Sequence, residues 1–439
     1  MSNINIVNDL QQIDISNDTT ANAIEVSAIP LALYIHIPWC VKKCPYCDFN
    51  SHELPIDSQV SMYDEYVDAL LSDANMQQPL TQKREISSIF IGGGTPSLLP
   101  IAQYRRLFSG LQRILKFADD IEITMEANPG TLEHAPFAQY LDVGINRLSI
   151  GVQSFAADKL VALGRIHNPD QALSAIHAAR AAGFERVNVD LMHGLPQQAM
   201  AEALNDIQMA HDAGATHISW YQLTIEPNTV FYRSQPILPD EDNLADIEQA
   251  GQTLLQQLGY HNYEVSAWAG GSDQPCRHNV NYWQFGDYLA IGAGAHGKVT
   301  VSRRTTMSHK ANNASEMNEN ERLVDAGIYR FSKSRLPKDY VSYQDVTDCS
   351  KANENAPKMV GWKKIDNNEL VSEFMLNALR LHGGVAWSLF QERTGRKRDD
   401  IASSIDKLVA QGLLTDSRAW LQPTELGQRY LNQILREFL

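Results

Sequence analysis

The sequence predicts an α/β fold in which parallel strands alternate with helices. Six short apolar or β-branched runs are each followed by a segment with helical spacing, and this repeated order is typical of parallel pairing with helices outside. Gly or Pro follows most runs, so polar loops gather at the carboxyl ends of the strands, where barrel enzymes build their sites. Six units allow either a partial barrel or an open doubly wound sheet. The predicted strands are Leu31–Pro38, Ile86–Ile91, Ile121–Glu126, Arg147–Val152, Arg186–Leu191 and His217–Leu223.

Length and composition describe a globular protein of more than one domain. The chain has 439 residues, and its 52 acidic and 37 basic side chains give a formal charge of −15. This acidic excess argues against general binding to nucleic acids. No apolar run approaches the roughly 18 residues of a membrane-spanning helix. The first basic residue is Lys42 and only five cysteines are present, so we expect no secretory or transit peptide and a cytoplasmic protein with reduced thiols.

Shifts in composition divide the chain into five predicted regions. The first is a disordered polar tail, the second is the core barrel and the third is a short segment at its rim. A polar insertion or linker, rich in Asn, Ser, Lys and Glu, is predicted before a compact C-terminal module. In order, the regions are 1–28, 29–270, 271–303, 304–370 and 371–439.

The C-terminal module resembles a winged helix. Glu373–Leu381 and Arg398–Leu413 are amphipathic, Leu414–Leu421 is predicted to form a short hairpin, and Thr424 is predicted to cap a helix over Thr424–Leu439. We expect a packing module rather than a DNA-binding one, because its basic cluster is small: Arg393, Arg396, Lys397 and Arg398.

The most informative motif is Cys40, Cys44 and Cys47, spaced CxxxCxxC directly after the first predicted strand. Three thiolates on one loop can hold three irons of a [4Fe–4S] cluster and leave the fourth iron open to an exogenous ligand. A structural zinc site is the alternative, but zinc needs four ligands. The other two cysteines, Cys276 and Cys349, are distant in sequence.

This loop resembles that of the radical S-adenosylmethionine superfamily. The resemblance implies a partial (β/α)6 TIM-like barrel that holds the cluster and binds S-adenosylmethionine at the open iron. The segment from Gly92 to Pro96, which reads GGGTP, stands where that superfamily contacts the methionine amino group. A glycine triplet alone indicates only a turn. One strand after the cysteine loop, it supports the resemblance, since glycine lets the backbone approach a ligand closely.

A narrower resemblance covers Leu31 to Leu439. YIHIPWC at 34–40, EANP at 126–129 and GVQS at 151–154 match the branch that contains oxygen-independent coproporphyrinogen oxidase and the HemW haem chaperones. Carboxylates can accept hydrogen bonds from ribose hydroxyls or an ammonium group, and an arginine can clamp a carboxylate. The resemblance implies that these residues surround S-adenosylmethionine: Tyr34, Tyr46, Gly93, Gly94, Thr95, Glu126, Gln153, Arg165 and Asp190.

Two departures separate the chain from the oxidase. Asp48 and Phe49 follow Cys47, so the oxidase's fourth cysteine is absent, and the short polar tail bears little resemblance to the oxidase's N-terminal arm. The segment His278–Trp283 instead reads HNxxYW, the signature of the HemW group.

The signature segment is the predicted haem site. His278 is a candidate axial ligand, and Tyr282 and Trp283 are candidates to cover the macrocycle. We expect the segment at the rim, near the strand ends that hold the cluster. The alternative is that His278 only closes a hydrogen-bonded rim. Cys276 is a second candidate ligand, although a buried small apolar role suits it better.

The resemblance therefore implies a haem chaperone that binds haem, a [4Fe–4S] cluster and S-adenosylmethionine, with no catalytic residue assigned. It implies delivery of haem to respiratory proteins at the membrane surface, a reductant or electron donor for the cluster, and a cytoplasmic protein able to associate peripherally with the membrane. The alternative is an oxygen-independent coproporphyrinogen III oxidase, which forms protoporphyrinogen IX by radical decarboxylation. A third reading is a barrel whose cluster is only structural.

Overall fold

The computed structural model describes residues 24–55, 60–130, 137–302, 305–307, 322–342 and 360–439. Twelve strands form one sheet in which all six predicted strands are present. In chain order they are β1 (Leu31–Ile37), β2 (Ile86–Gly93), β3 (Phe117–Ala127), β4 (Arg147–Gln153), β5 (Arg186–His193), β6 (His217–Gln222), β7 (Tyr260–Glu264), β8 (Ala267–Gly270), β9 (Asp287–Ile291), β10 (His296–Val301), β11 (Gly327–Lys333) and β12 (Val360–Lys364).

The strand order shows that the sheet is a partial barrel. The spatial order is β12-β11-β10-β9-β1-β2-β3-β4-β5-β6-β8-β7. Strands β1 to β6 are neighbours in chain order and all pair in parallel, whereas a doubly wound sheet would reverse direction at β1. Strand β9 pairs in parallel with the other side of β1. The expected partial (β/α)6 barrel is therefore confirmed, with antiparallel strands added at both edges.

Helices cover the outer face of the sheet. Helix α5 begins at a capping box, in which the side chains of Asn168 and Gln171 each accept from the other's backbone N–H, with Pro169 in the first turn. The helices are α1 (Val60–Gln77), α2 (Ile101–Ile114), α3 (Phe137–Asp142), α4 (Ala157–Ala162), α5 (Pro169–Ala181), α6 (Met200–Asp212), α7 (Val230–Arg233), α8 (Glu241–Gln257), α9 (Arg277–Trp283), α10 (Pro337–Ser342), α11 (Leu370–Ala378), α12 (Trp387–Thr394), α13 (Ala402–Ala410), α14 (Glu425–Arg429) and α15 (Leu431–Arg436). Short 3₁₀ helices cover Val26–Ala28, Gln78–Thr81, Pro96–Leu98 and Arg398–Ile401.

The C-terminal module has its own apolar core, which Phe285, just after α9, and Ile328 on β11 also join. The predicted cap is confirmed, since the Thr424 hydroxyl accepts from the backbone N–H of Gly427 at 3.0 Å. The predicted hairpin is reduced to one antiparallel bridge between Leu414 and Pro423. Two-residue strands β13 (Val385–Ala386) and β14 (Trp420–Leu421) pair beside it and complete a small wing.

Residues 304–370 differ from the predicted polar insertion, because they contribute β11 and β12 to the main sheet. The strand β11 is hard to recognise from sequence because it carries a buried lysine: Lys333 pairs with buried Asp73 at 2.6 Å. A short ladder also joins Thr305–Met307 to Arg322–Val324. Most of the two polar runs, Ser308–Arg322 and Ser350–Asn355, and residues 1–23 of the predicted tail lie outside the described residues.

Candidate functional site

A cavity of about 470 Å³ opens at the carboxyl ends of the parallel strands. Such a position is where barrel folds place their ligands. The cavity brings together most of the residues that the sequence predicts for the cluster and for S-adenosylmethionine. These lining residues are Cys40, Cys44, Tyr46, Cys47, Gly93, Gly94, Thr95, Glu126, Gln153, Arg165 and Asp190.

Each of the three thiols has a polar neighbour. The Thr95 hydroxyl donates to Cys40 Sγ at 3.5 Å, and Arg165 Nη1 donates to Cys44 Sγ at 3.8 Å. Cys47 Sγ lies 3.8 Å from the hydroxyl of Ser51. Hydrogen bonds and positive charge of this kind stabilise thiolates, which are the form that ligates metal.

The donor set fits an iron–sulfur cluster. Burial raises the pKa of the Cys40 and Cys47 thiols above the ordinary value, so metal binding would have to remove their protons. Within the described residues, no three His, Cys, Asp or Glu side chains are arranged to hold a single metal ion. A four-iron cluster spreads its thiolates further apart than one ion does, so three thiols that face one cavity are the arrangement it requires.

The glycine segment supports the cysteine loop. Backbone N–H groups of Gly94 and Thr95 donate to the carbonyls of Ile37 and Trp39, both at 2.7 Å. Gly93 has φ +114°, and a Cβ there would lie 2.6 Å from the His36 ring. A Cβ on Gly94 would lie 2.5 Å from the Trp39 carbonyl oxygen. Close packing against β1 and the loop after it therefore requires glycine here, in addition to any need for a ligand to approach.

Two carboxylates line the cavity below the cysteine loop. Glu126 Oε2 accepts from the backbone N–H of Gly93 at 3.2 Å, and Asp190 accepts from the hydroxyl of Ser149 at 3.0 Å and from the amide of Asn188 at 2.8 Å. Burial, together with the nearby Asp190, raises the pKa of Glu126 to about 8. Burial also raises the pKa of Asp190. A positively charged ligand group would reverse this effect and favour the ionised carboxylates.

Arg165 connects the cysteine loop with β4. Its guanidinium donates to the Gly151 carbonyl as well as to Cys44, while its Nε is buried without a hydrogen-bond partner among the described residues. Gln153, at the end of β4, lines the same cavity with φ +73°, a left-handed backbone that is uncommon outside glycine. Strained residues of this kind cluster at ligand sites.

A polar lumen, which the sequence did not predict, lies below these residues. Ser149, Asn188 and Ser219 line the cavity from inward-facing positions on three successive strands. Barrel interiors are usually filled by bulky apolar side chains, so this lining marks a ligand-accessible interior. The feature of the sequence that indicates this lumen is the occurrence of polar residues two positions apart within apolar strands. The lining residues missed include Phe90, Arg147, Ser149, Asn188, Ser219, Tyr221 and Asn279.

Tyr34 is not among the residues that line this cavity. Its hydroxyl lies 3.0 Å from His36 Nδ1, and its ring lies 6.4 Å from that of Phe90. Tyr34 thus supports the cavity wall from behind, and its predicted contact with S-adenosylmethionine stays a prediction.

The signature segment lies at the opposite end of the barrel from the expected rim. Helix α9 begins beside the first half of β3, where the Arg277 backbone N–H donates to Glu122 Oε1 at 2.9 Å and its side chain donates to the Asp120 carbonyl at 2.7 Å. Asn279 reaches the cavity from below. The segment therefore closes the floor of the barrel, and the expectation that it lies near the cluster-holding strand ends was wrong.

His278 is buried in an aromatic stack. Its ring centroid lies 5.2 Å from that of Phe90 and 5.4 Å from that of Tyr282. Burial lowers the pKa of His278 to about 3, and its Nδ1 has no hydrogen-bond partner among the described residues. The side chain is only 3% exposed, so a haem could reach it only if the stack opened.

The other signature side chains pack between the barrel and the C-terminal module. Tyr282 stacks on Tyr288 at 4.0 Å, and the Arg380 guanidinium lies 4.4 Å above the Trp283 ring. Cys276 is fully buried, as its apolar interpretation predicts, and burial raises its pKa to about 11. The roles of His278, Tyr282 and Trp283 toward haem stay predictions.

This fold and this cavity define a radical SAM protein. The chain matches the Radical SAM superfamily over residues 34–210 and the HemN C-terminal domain over residues 365–430. It belongs to the HemW family. The heme chaperone HemW of Escherichia coli (strain K12) is 43% identical over 410 residues, which cover 93% of this chain and 98% of that protein. That of Haemophilus influenzae is also 43% identical, over 414 residues, with the same coverage, and that of Bacillus subtilis is 31% identical over 412 residues, 92% of this chain and 98% of its own.

A solved structure confirms the fold. The coproporphyrinogen III oxidase HemN from Escherichia coli, a radical SAM enzyme, aligns with a TM-score of 0.73 and 23% identity over 97% of this chain and 94% of its own. At this identity the likeness concerns the fold alone. In the part of the chain that the structure describes, no helix is both long and apolar enough to cross a membrane.

Proposed function

We propose that this chain is a haem chaperone, which binds haem and delivers it to acceptor proteins. The observation that carries the proposal is its similarity to heme chaperones along nearly the whole chain, at 43% identity with no large unmatched region on either side. The proposed acceptors are respiratory proteins at the membrane surface, which a cytoplasmic chaperone would reach by peripheral association.

The cavity is proposed to hold a [4Fe–4S] cluster on Cys40, Cys44 and Cys47, with S-adenosylmethionine beside it. When bound, the two groups would supply one-electron chemistry after reduction by an electron donor. Arg165 is placed to bind a carboxylate without leaving Cys44, because a guanidinium presents five donors. Glu126 and Asp190 line the same cavity and offer acceptors to hydroxyl or ammonium groups of a ligand.

The oxidase remains the alternative, and Phe49 argues against it. This residue stands where the oxidase has its fourth cysteine, and its side chain is 60% exposed beside the mouth of the cavity. An exposed phenyl ring can neither ligate metal nor donate a proton.

Two parallel assays on one sample test the proposal. The protein is reconstituted anaerobically with iron and sulfide, then titrated with haem and incubated separately with coproporphyrinogen III, S-adenosylmethionine and a reductant. We expect stoichiometric haem binding, transfer of that haem to the apo form of a membrane-bound haem protein, and no protoporphyrinogen. Protoporphyrinogen formed over many turnovers would establish the oxidase instead. Failure to bind haem would refute the chaperone.

A further inference from the structure

A second concave surface lies at the edge of the barrel, away from the cysteine loop. It has a volume of about 1070 Å³ and runs between β7, α8 and the C-terminal helices α14 and α15. We call it the edge groove. It is large enough for an organic ligand the size of a tetrapyrrole, since drug-sized ligands occupy about 300–1,000 Å³.

The edge groove contains two imidazoles, His261 and His382. His261 is exposed on β7, and His382 follows α11. The backbone N–H of His382 donates to the Tyr263 carbonyl at 3.1 Å, next to an antiparallel bridge between Glu264 and Leu381. His382 is therefore opposite Tyr263 at the outer edge of β7, and His261 lies two residues before Tyr263 on the same strand, so both histidines line the groove at this edge.

Both imidazoles are free to accept a metal. Among the described residues, neither ring makes a hydrogen bond, whereas the rings of His36, His167 and His217 are all bonded to protein atoms. Burial lowers the pKa of His382 to about 4, so its ring is neutral at neutral pH, as a metal ligand must be. Imidazole is a common axial ligand of haem iron.

The charges and apolar surface of the groove suit an amphipathic anion. Arg380, Arg429 and Arg436 line it against two acids, Glu248 and Glu425, although the whole chain carries a charge of −15. Arg429 and Arg436 are exposed and form no ion pair within the described residues, so they are available to carboxylates.

The apolar part of the lining is aromatic and aliphatic. Tyr430 is 55% exposed and Val265 is 45% exposed, while Trp268 and Leu379 form the deeper wall. Such side chains can cover the faces of a macrocycle while the arginines meet its acidic edge.

The groove also connects with the signature segment. Arg380 lines the groove and lies over the Trp283 ring, and its Nη2 donates to Glu264 at 3.3 Å. Trp283 therefore positions Arg380 but does not itself line the groove. A strand from another protein is a poor occupant, since Leu381 and His382 already cover part of the outer edge of β7.

We propose that the edge groove is the haem site of this chain. His261 or His382 supplies the imidazole to the iron, and Arg429 and Arg436 bind the propionates. This proposal rests on the proposed function, because it names where that function holds its cargo. It moves the iron ligand from buried His278 to an accessible imidazole.

The test titrates the anaerobically reconstituted full chain with ferric haem and records the Soret band and the affinity. The variants are His261→Ala, His382→Ala and the double variant, with His177→Ala on the exposed face of α5 as the matched control. We expect a shifted Soret band and an affinity about tenfold weaker or worse in the double variant, with one single variant carrying most of the change, and no change in the control. Iron content and melting temperature are measured on every sample.

A second pair of variants tests the propionate contacts with exposed residues whose replacement spares the core. Wild type should bind haem more tightly than haem dimethyl ester, and Arg429→Gln combined with Arg436→Gln should reduce that preference about fivefold. A double histidine variant with the wild-type spectrum and affinity would overturn the proposal while leaving the chaperone function intact. An unchanged ester preference would remove the arginines from the site. A wild-type chain that binds no haem would refute the proposed function itself.

Discussion

The upper cavity, at the carboxyl ends of the strands, is built in a different way from the floor of the barrel and the edge groove. In the cavity at the carboxyl ends, the candidate cluster ligands are close together in the chain, since the three thiols lie within eight residues and the supporting glycine segment follows the next strand. The floor and the edge groove depend on residues far apart: the contact between Arg277 and Glu122 joins positions separated by 155 residues, and His382 meets β7 from the C-terminal module.

This difference assigns the cluster site and the edge groove to separate parts of one fold. The upper cavity can assemble wherever a radical SAM barrel folds, because its motifs belong to the barrel strands and their loops. The edge groove exists only where the C-terminal module packs against β7 and α8, and Gln222 is the lining residue that it shares with the upper cavity. Variants that affect the upper cavity and spare the floor or the edge groove, or the reverse, therefore test whether these regions are built independently.

The largest expected effect is the loss of the cluster in Cys44→Ala. No other cysteine in the described residues lies on the same loop except Cys40 and Cys47, and two thiolates cannot replace three. We expect iron content and the EPR signal of the reduced cluster to fall close to zero, while Cys276→Ala retains both. A normal cluster in Cys44→Ala would contradict the assignment of the upper site.

The second effect concerns the floor, where a buried carboxylate balances two buried cations. Asp287 accepts from Arg84 Nη1 at 2.8 Å and from Lys298 Nζ at 2.9 Å, and all three side chains are almost fully buried. Asp287→Asn leaves both cations without their counter-charge, so we expect a loss of about 3–5 kcal/mol in the free energy of unfolding. Denaturant unfolding of the apoprotein measures this loss.

The matched control for Asp287 is Asp68→Asn, whose pair with Arg106 is exposed. It should change the free energy of unfolding by less than about 1 kcal/mol. Equal effects of the two substitutions would show that the buried charge cluster does not hold the floor in place.

The smallest effect is a pH dependence that originates in the upper cavity. The pKa of Glu126 is raised from 4.5 to about 8, so the folded apoprotein holds a proton that the unfolded chain releases. The stability that the folded state gains from protonated Glu126 is fully present below about pH 4.5. The free energy of unfolding then falls as the pH rises from there to about 8. Glu126→Gln should remove this contribution to the slope. We expect the substitution to raise the free energy of unfolding by about 1–3 kcal/mol at pH 7.

The measurement compares unfolding curves of wild type and Glu126→Gln between pH 5 and pH 8. The control is Glu65→Gln on the exposed side of α1, which should follow wild type. Parallel curves for wild type and Glu126→Gln would show that Glu126 is not buried as a neutral acid.

Local patterns made the barrel and its upper site predictable. Apolar strands ending in Gly or Pro, the CxxxCxxC spacing and the Thr424 cap each depend on neighbours within a few residues. The position of α9 was not predictable in this way. Its place is decided by Arg277 and Cys276 meeting Glu122, and nothing in the HNxxYW residues themselves indicates which end of the barrel they close.

Burial of polar side chains explains the other differences. Lys333 is buried against Asp73, so β11 reads as polar sequence although it is an interior strand. Ser149 and Asn188 read as ordinary strand residues until the barrel closes around them. The edge groove could not be predicted, because it exists only between β7, α8 and the C-terminal module.

The most direct test of two separate sites measures both ligands on the same three samples. Wild type, Cys44→Ala and the double variant His261→Ala with His382→Ala are reconstituted anaerobically, and cluster EPR and the haem Soret titration are recorded for each. We predict that Cys44→Ala loses the EPR signal and keeps the wild-type Soret spectrum and haem affinity, while the histidine variant keeps the EPR signal and loses the Soret shift. Loss of both signals in either variant, with an unchanged far-UV circular dichroism spectrum, would contradict two separate sites.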